Sequence, residues 1–246
     1  MFSDRIFGLY FIIILLSIYE IHSLEFEKLT KIYEIIHLTN PKDSSFNPYR
    51  EFNHVINSMF FSESLTDYFK NALGTESAYY TMCYLRDLIA GTMVYWLTAG
   101  VWHITIYYVF VNEIFTSKNR PLPSNAIIIE QILLSQSSLF IYAGLPVISE
   151  WLIENKFTKT YFYINEIGGW SQYFMYFALY IFLVEFGIYW VHRTLHNNKF
   201  LYKYVHGLHH KYNRPTTLTP WTSIAFNPLD GILQVFLYLY FNTKFI

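Results

Sequence analysis

Cysteine is almost absent: Cys83 is the only one in 246 residues. A single thiol excludes a disulfide framework and any zinc site built on paired cysteines. Its simplest role is that of a small core residue. Charge is scarce too. Charged residues make up 14% of the chain, against roughly 25% in an ordinary soluble domain. The net charge of −1 offers no field to attract nucleic acid, so none is expected as a partner. There is no glycine-rich phosphate loop, no internal repeat and no low-complexity tract. Hydrophobic residues reach 53% and aromatics alone 21%, a composition that suits a chain keeping much of its surface in lipid.

Long apolar runs follow from that composition. A bilayer core needs about 20 apolar residues in a helix. Residues 89–111 supply them with His103 as the only ionisable group besides tyrosines, and residues 169–191 do so with Glu185 as the only charge. Residues 126–152 are interrupted by Glu130, Gln131, Gln136, four serines, Pro146 and Glu150. They predict a span packed against protein, kinked or re-entrant. Another apolar run begins at 231–242 and the sequence stops at Ile246. Residues 7–19, thirteen apolar residues after Arg5, are short for a span and the right length for a signal-peptide core. With no small-x-small cleavage site behind them, an uncleaved anchor is favoured. The expected organisation is therefore 1–88, an anchor or signal-like segment plus a mixed extramembrane or interfacial stretch, and 89–246, a membrane-embedded domain. The fold class is all-α, a polytopic membrane helical bundle.

Loop charges orient such a bundle. Segment 112–125 carries Lys118 and Arg120 against Glu113, and 192–214 carries Arg193, Lys199, Lys203, Lys211 and Arg214 with no acid. If all three spans cross, these two segments share one side, predicted to be cytosolic.

That second segment holds five of the chain's nine histidines: His192, His196, His206, His209 and His210. His192 and His196 lie one turn apart on a helix continuing from 169–191, and a second helix would put the other three on one stripe. Imidazole binds iron, copper, zinc and nickel. Five nitrogens exceed the needs of one zinc, which takes about three or four protein ligands, so two ions are plausible. A metal would keep these imidazoles neutral and fixed, whereas without one they would repel when protonated. The plainer reading is a surface histidine-basic run that binds lipid phosphates. A divalent-metal transporter is disfavoured because the spans offer few paired polar residues to form a path. A histidine-rich, cysteine-free metal site at a membrane face suits non-haem iron working on a lipid.

At these residues the sequence resembles the membrane fatty acid hydroxylase superfamily. His192-Arg-Thr-Leu-His196, preceded by Tyr189-Trp190-Val191, is similar to its first histidine box, and His206-Gly-Leu-His209-His210 to its second. Residues 211–234, KYNRPTTLTPWTSIAFNPLDGILQ, resemble the sterol 5-desaturase branch, the lathosterol oxidase type. The likeness is strong from about 180 to 234 and only hydropathic before that. It departs in two places. Asn227 stands where the family has histidine, and no histidine follows His210, so the family's third box is missing and the pattern is read as truncated before it. The resemblance implies an endoplasmic reticulum protein that removes two hydrogens from a Δ7-sterol to form a 5,6 double bond. Dioxygen would be consumed, with NAD(P)H electrons delivered by a small b-type cytochrome and its reductase. Two irons would be held by the five histidines, with no catalytic residue beyond these ligands. Glu185, Tyr189, Asp230 and Asn227 are candidates for holding the ligands in place, since a ligating imidazole usually donates its other N–H to an acceptor. Thr217, Thr219 and Trp221 are candidates for shaping the sterol slot. The alternatives are a fatty acyl or sphingoid hydroxylase of the same superfamily and a catalytically inactive, truncated lipid-binding homologue.

Overall fold

A computed structural model of the protein describes residues 26–37 and 46–244. The apolar run at 7–19 lies outside the described residues. The described residues are helical, with no strand among them. In chain order the helices are α1 (Phe26–His37), α2 (Pro48–Phe60), α3 (Glu63–Leu73), α4 (Thr75–Ile104), α5 (Asn125–Tyr142), α6 (Gly144–Glu154), α7 (Trp170–Asn197) and α8 (Pro228–Lys244). Local signals set several boundaries. Asn47 caps α2, accepting from the Arg50 N–H at 3.3 Å, and Pro48 opens the helix with the φ it already prefers. Ser62 caps α3 and Ser124 caps α5. Residues 48–73 thus form two helices, divided where Phe61 is extended and Ser62 starts anew.

Three helical stretches are long and apolar enough to cross a membrane: Thr75–Val109, Asn125–Glu154 and Trp170–Asn197. Only 11% of the most apolar window of the last is buried. Its Phe174, Phe182 and Phe186 are exposed, and in a charge-poor chain such a surface belongs in lipid. The middle stretch is broken at Ala143, as its sequence predicted. Pro146 cannot donate, and its ring clashes with the carbonyl four residues back, that of Tyr142, where α5 ends.

The contacts divide the chain into two compact units. The first comprises the described residues up to Asp87, Pro146–Phe182 and the residues from Tyr240; the second is Leu88–Leu145 with Leu183–Leu239. The first unit is held by a buried polar network. Arg86 donates from Nη1 to the side-chain oxygens of Asn53 and Asn57 (3.1 Å each), from Nε to Asp87 (2.9 Å), and from Nη2 to Glu150. Glu154 accepts from Asn53 (3.2 Å), Tyr79 and Tyr80 (3.2 Å). Cys83 is buried, as its isolation suggested, and accepts from Asn57 Nδ2. Burial of these polar groups is tolerable because most of their atoms pair within the network, with Asp87 Oδ2 and Glu150 Oε2 left without a hydrogen bond.

In the second unit three of the polar residues that interrupt the hydropathy of 126–152 face protein. Gln131, Ser135 and Ser138 are fully buried. Gln131 donates to the Thr217 carbonyl (2.6 Å) and accepts from Thr219. Ser135 donates to the Trp221 carbonyl (3.1 Å) and Ser138 to that of Phe226 (3.0 Å). Helix α5 thereby fixes the loop 213–227, which has little regular structure to satisfy its own carbonyls. His103 accepts from the Trp221 indole N–H at 3.2 Å, so this intramembrane imidazole is paired with the same loop.

Candidate metal centre

Helix α7 presents His192 and His196 one turn apart and ends at Asn197. Asn198 caps the next turn, accepting from the Phe200 and Leu201 N–H groups at 2.9 and 3.1 Å. The chain then departs from the regular second helix that the spacing predicts. Tyr202–His206 form a π-helical turn and His209–Tyr212 a 3₁₀ turn. Gly207 sits between them, its N–H bonded to the Tyr202 carbonyl at 2.6 Å. A Cβ at 207 would lie 2.9 Å from that oxygen, so only glycine lets the backbone approach. Irregular turns at functional positions are a recurrent use of π geometry.

The consequence is a cluster of four. His192, His196, His206 and His210 offer ligand atoms that all lie within 4.8 Å of one another. His196 Nε2 is 3.1 Å from that of His192, 3.2 Å from that of His206 and 3.2 Å from that of His210; His206 and His210 are 3.0 Å apart. Metal–nitrogen bonds of about 2.0–2.1 Å separate neighbouring ligands by about 2.9 Å in octahedral and about 3.4 Å in tetrahedral geometry. These four separations fall inside that interval, and all the ligand atoms of the group lie within 4.8 Å of one another. Nitrogens this close need a shared proton or a cation between them, and one Nε2 cannot donate to three others. The donor set therefore fits a transition-metal ion.

His209 is exposed and outside this group of four. Its ring lies 5.3 Å from those of His206 and His210, beside Phe226 at 5.7 Å. Burial, then the neighbouring imidazoles, holds both His209 and His210 below the usual histidine pKa. That favours the neutral form a metal ligand requires.

Two groups bond the imidazoles from behind. Asp230 Oδ2 is 2.7 Å from His206 Nδ1, with both side chains fully buried. This pairing puts the proton on Nδ1 and leaves Nε2 free to ligate. Gln234 Nε2 donates to the other Asp230 oxygen at 2.9 Å. At His210 the same place is taken by Asn213, whose amide lies 2.9 Å from Nδ1. Asp230 was legible as a supporting residue. Asn213 and Gln234 were not, although each stands one helical turn beyond a recognised residue, at His210 plus three and Asp230 plus four.

The other sequence candidates are not brought to the cluster by a direct bond. Glu185 is exposed, with no hydrogen bond or ion pair among the described residues. Tyr189 accepts from Arg193 at 2.8 Å. Asn227 donates to the Tyr204 carbonyl (3.0 Å) and accepts from the Leu229 N–H (2.9 Å), so it ties the π-helical turn to the start of α8. Glu130 anchors the segment after the cluster through Lys211 and the Tyr212 hydroxyl. Burial, and then the Glu130 carboxylate, pushes the Tyr212 hydroxyl up to about 12.

A cavity of about 690 Å³ opens in the same unit between α4, its π-helical extension and the loop 213–223. Thr219 lines it; Thr217 and Trp221 do not. Trp221 is buried behind it, where its carbonyl accepts from Tyr95 and Ser135.

Residues 177–245 match the sequence model of the fatty acid hydroxylase family. This stretch is similar to that family. It contains all four converging histidines and Asp230. Over a longer stretch the chain is similar to a Delta(7)-sterol-C5(6)-desaturase of Nicotiana tabacum, 42% identical over 151 residues, covering 61% of this chain and 55% of the relative. A putative Delta(7)-sterol-C5(6)-desaturase 2 of Arabidopsis thaliana is 40% identical over 156 residues, covering 63% and 55%. The lathosterol oxidase of Rattus norvegicus is 33% identical over 132 residues, covering 53% and 42%. The chain spans about half the length of the curated relatives it matches. No solved structure matches it.

Proposed function

We propose that the protein is a membrane-bound, non-haem di-iron oxidoreductase that introduces the 5,6 double bond into a Δ7-sterol. The observation that carries this is the convergence of four imidazole Nε2 atoms within a stretch similar to Δ7-sterol desaturases. The overall reaction takes one sterol, one dioxygen, two electrons and two protons to one doubly unsaturated sterol and two waters. The electrons come from NAD(P)H through a small b-type cytochrome and its reductase. Iron, when bound, would supply the activation of dioxygen needed to break an unactivated C–H bond.

The chain's own residues hold that chemistry in place. His192, His196, His206 and His210 are the proposed ligands of one ion. His209 is the proposed ligand of a second, which needs further donors of the kind the family carries in its third histidine box. Asp230 fixes the His206 tautomer, and Asn213 that of His210. Residues 89–246 are the proposed membrane-embedded catalytic domain. The proposed location is the endoplasmic reticulum membrane, with the histidines on the cytosolic face, where a soluble electron carrier can reach them.

The test is expression of the gene in yeast lacking its sterol 5-desaturase, followed by gas chromatography of sterols and acyl chains. A Δ5,7-sterol that disappears with His206→Ala supports the proposal. Hydroxylated acyl or sphingoid chains with unchanged sterols would refute it in favour of the hydroxylase reading.

A further inference from the structure

The 690 Å³ cavity is within the usual range for small-molecule sites, about 300–1,000 Å³. Its walls are rich in flat and conformationally restricted groups: Trp102, Tyr107 and Phe115 present rings, and Pro215 and Pro220 present fixed backbone. No methionine lines it, the residue that lets a surface mould itself to a flexible guest. Flat, methionine-free walls suit a rigid flat guest. The polar groups are few. Asn213 is one of them, and it is also the residue whose amide lies 2.9 Å from His210 Nδ1. One side chain is therefore shared by the cavity and the metal centre.

The amide's orientation matters. If His210 ligates through Nε2, its Nδ1 carries the proton and must donate. The Asn213 group facing it is then the amide oxygen, the two ends of an amide being interchangeable by a flip. The amide NH₂ is released to donate elsewhere, and the cavity is where it can do so. Sterol chemistry supplies the acceptor. The hydroxyl-bearing carbon of a sterol is separated by one carbon from the carbon at which the 5,6 bond begins. A sterol whose reacting carbons lie at the metal must keep its hydroxyl close to the metal as well.

We propose that this cavity binds the ring system of a sterol, and that Asn213 joins it to the metal centre by accepting from His210 and donating to the sterol hydroxyl. The proposal rests on the sterol reading above and deepens it. Arg120 also lines the cavity, is exposed and has no side-chain partner among the described residues. It would suit a carboxylate, so a fatty acid is the competing occupant.

The experiment uses the full chain, purified in detergent. Binding of the fluorescent sterol dehydroergosterol is read by energy transfer from tryptophan, and that of the fluorescent fatty acid cis-parinaric acid is measured alongside. Thermal unfolding shows that each variant is folded, and cobalt loading reports the metal centre separately. Ser223→Phe and Ala99→Trp each fill the cavity from a different wall. At least one that still loads cobalt should lower dehydroergosterol affinity tenfold or more. Asn213→Ala should lower dehydroergosterol affinity about tenfold while leaving competition by a 3-deoxy sterol unchanged, a signature that a merely structural role would not give. The proposal is overturned if folded cavity-filling variants bind dehydroergosterol as the parent does. It is also overturned if Asn213→Ala affects both sterols equally, or if cis-parinaric acid binds and dehydroergosterol does not. Sterol binding with the Asn213 signature but no desaturated product from cells would refute the proposed reaction and leave this site standing.

Discussion

Asp230→Asn is the sharpest single perturbation of the metal centre. In the parent the carboxylate sits 2.7 Å from His206 Nδ1, with the imidazole wholly buried and the carboxylate 1% exposed. Water cannot replace it, and Gln234 already occupies its second oxygen. The substitution keeps size and shape but halves the acceptor capacity and introduces an NH₂. If the new amide oxygen faces Nδ1, the tautomer survives and the loss is that of a charge-assisted bond replaced by a neutral one. If the NH₂ faces Nδ1, the proton moves to Nε2 and His206 ceases to be a ligand. Loss of such an outer partner lowers metal affinity by 10–100-fold, about 1.4–2.7 kcal/mol. We expect Asp230→Asn near the lower end and Asp230→Ala near the upper, because alanine leaves the Nδ1–H unsatisfied in a dry site. The assay is competition for cobalt or zinc against a chromophoric chelator, with thermal unfolding of the metal-free protein as the control for folding. Unchanged metal affinity in a folded Asp230→Asn variant would refute the reasoning, since it would mean that His206 does not ligate or does not depend on its partner.

Three other outcomes follow from the same geometry. Gly231→Ala should destabilise the protein by about 1–3 kcal/mol, because a Cβ there collides with the Tyr142 ring and hydroxyl; Tyr142→Phe in the same chain should recover part of the melting temperature. Metal affinity should fall on acidification, but only at pH below the ordinary histidine value of about 6.5, because burial and the neighbouring imidazoles hold His209 and His210 below that value in the folded protein and protons compete with the metal only once those lowered values are reached; a chelator titration that stayed flat on continued acidification of the folded protein would contradict histidine ligation. Arg86→Ala should cost about 3–5 kcal/mol, because Asp87 and Glu150, with side chains only 16% and 19% exposed, lose their shared counter-charge; adding Glu150→Gln should lessen the loss in a denaturation series.

The histidine pattern was legible because it is local. His192 and His196 need only a continuing helix, and α7 provides one. The apolar runs announced three helices long enough to span, and of the polar residues within 126–152, Gln131, Ser135 and Ser138 are buried against protein while Glu130 and Ser137 are exposed. What could not be read was anything settled by backbone detail or by distant partners. A regular helix over 206–210 would place His209 with the others; the π-helical turn and the close approach at Gly207 instead bring His206 and His210 to the cluster and leave His209 exposed. The buried network of Arg86, Glu150 and Glu154 joins residues more than 60 positions apart. No periodicity within 20–88 could reveal that the stretch is stapled to the end of α6. Asn227 reads as a substituted ligand in the family's pattern, yet its two hydrogen bonds are those of a cap and a tie.

These observations also explain why the centre is built from unequal parts. His192 and His196 come from rigid helix, whereas His206 and His210 come from short turns that would not hold their shape alone. Each turn residue is the one given an outer partner, Asp230 for His206 and Asn213 for His210. Asp230 itself is carried by the first turn of α8, and the segment that follows His210 is anchored on α5 through Glu130. The order supplied by α7 for one pair is thus supplied for the other by side chains 3 and 24 positions away. A pair held in this way is easier to displace than one on a helix. Substitutions behind His206 and His210 should therefore loosen metal binding without unfolding the spans, which separates the loss of the centre from the loss of the fold.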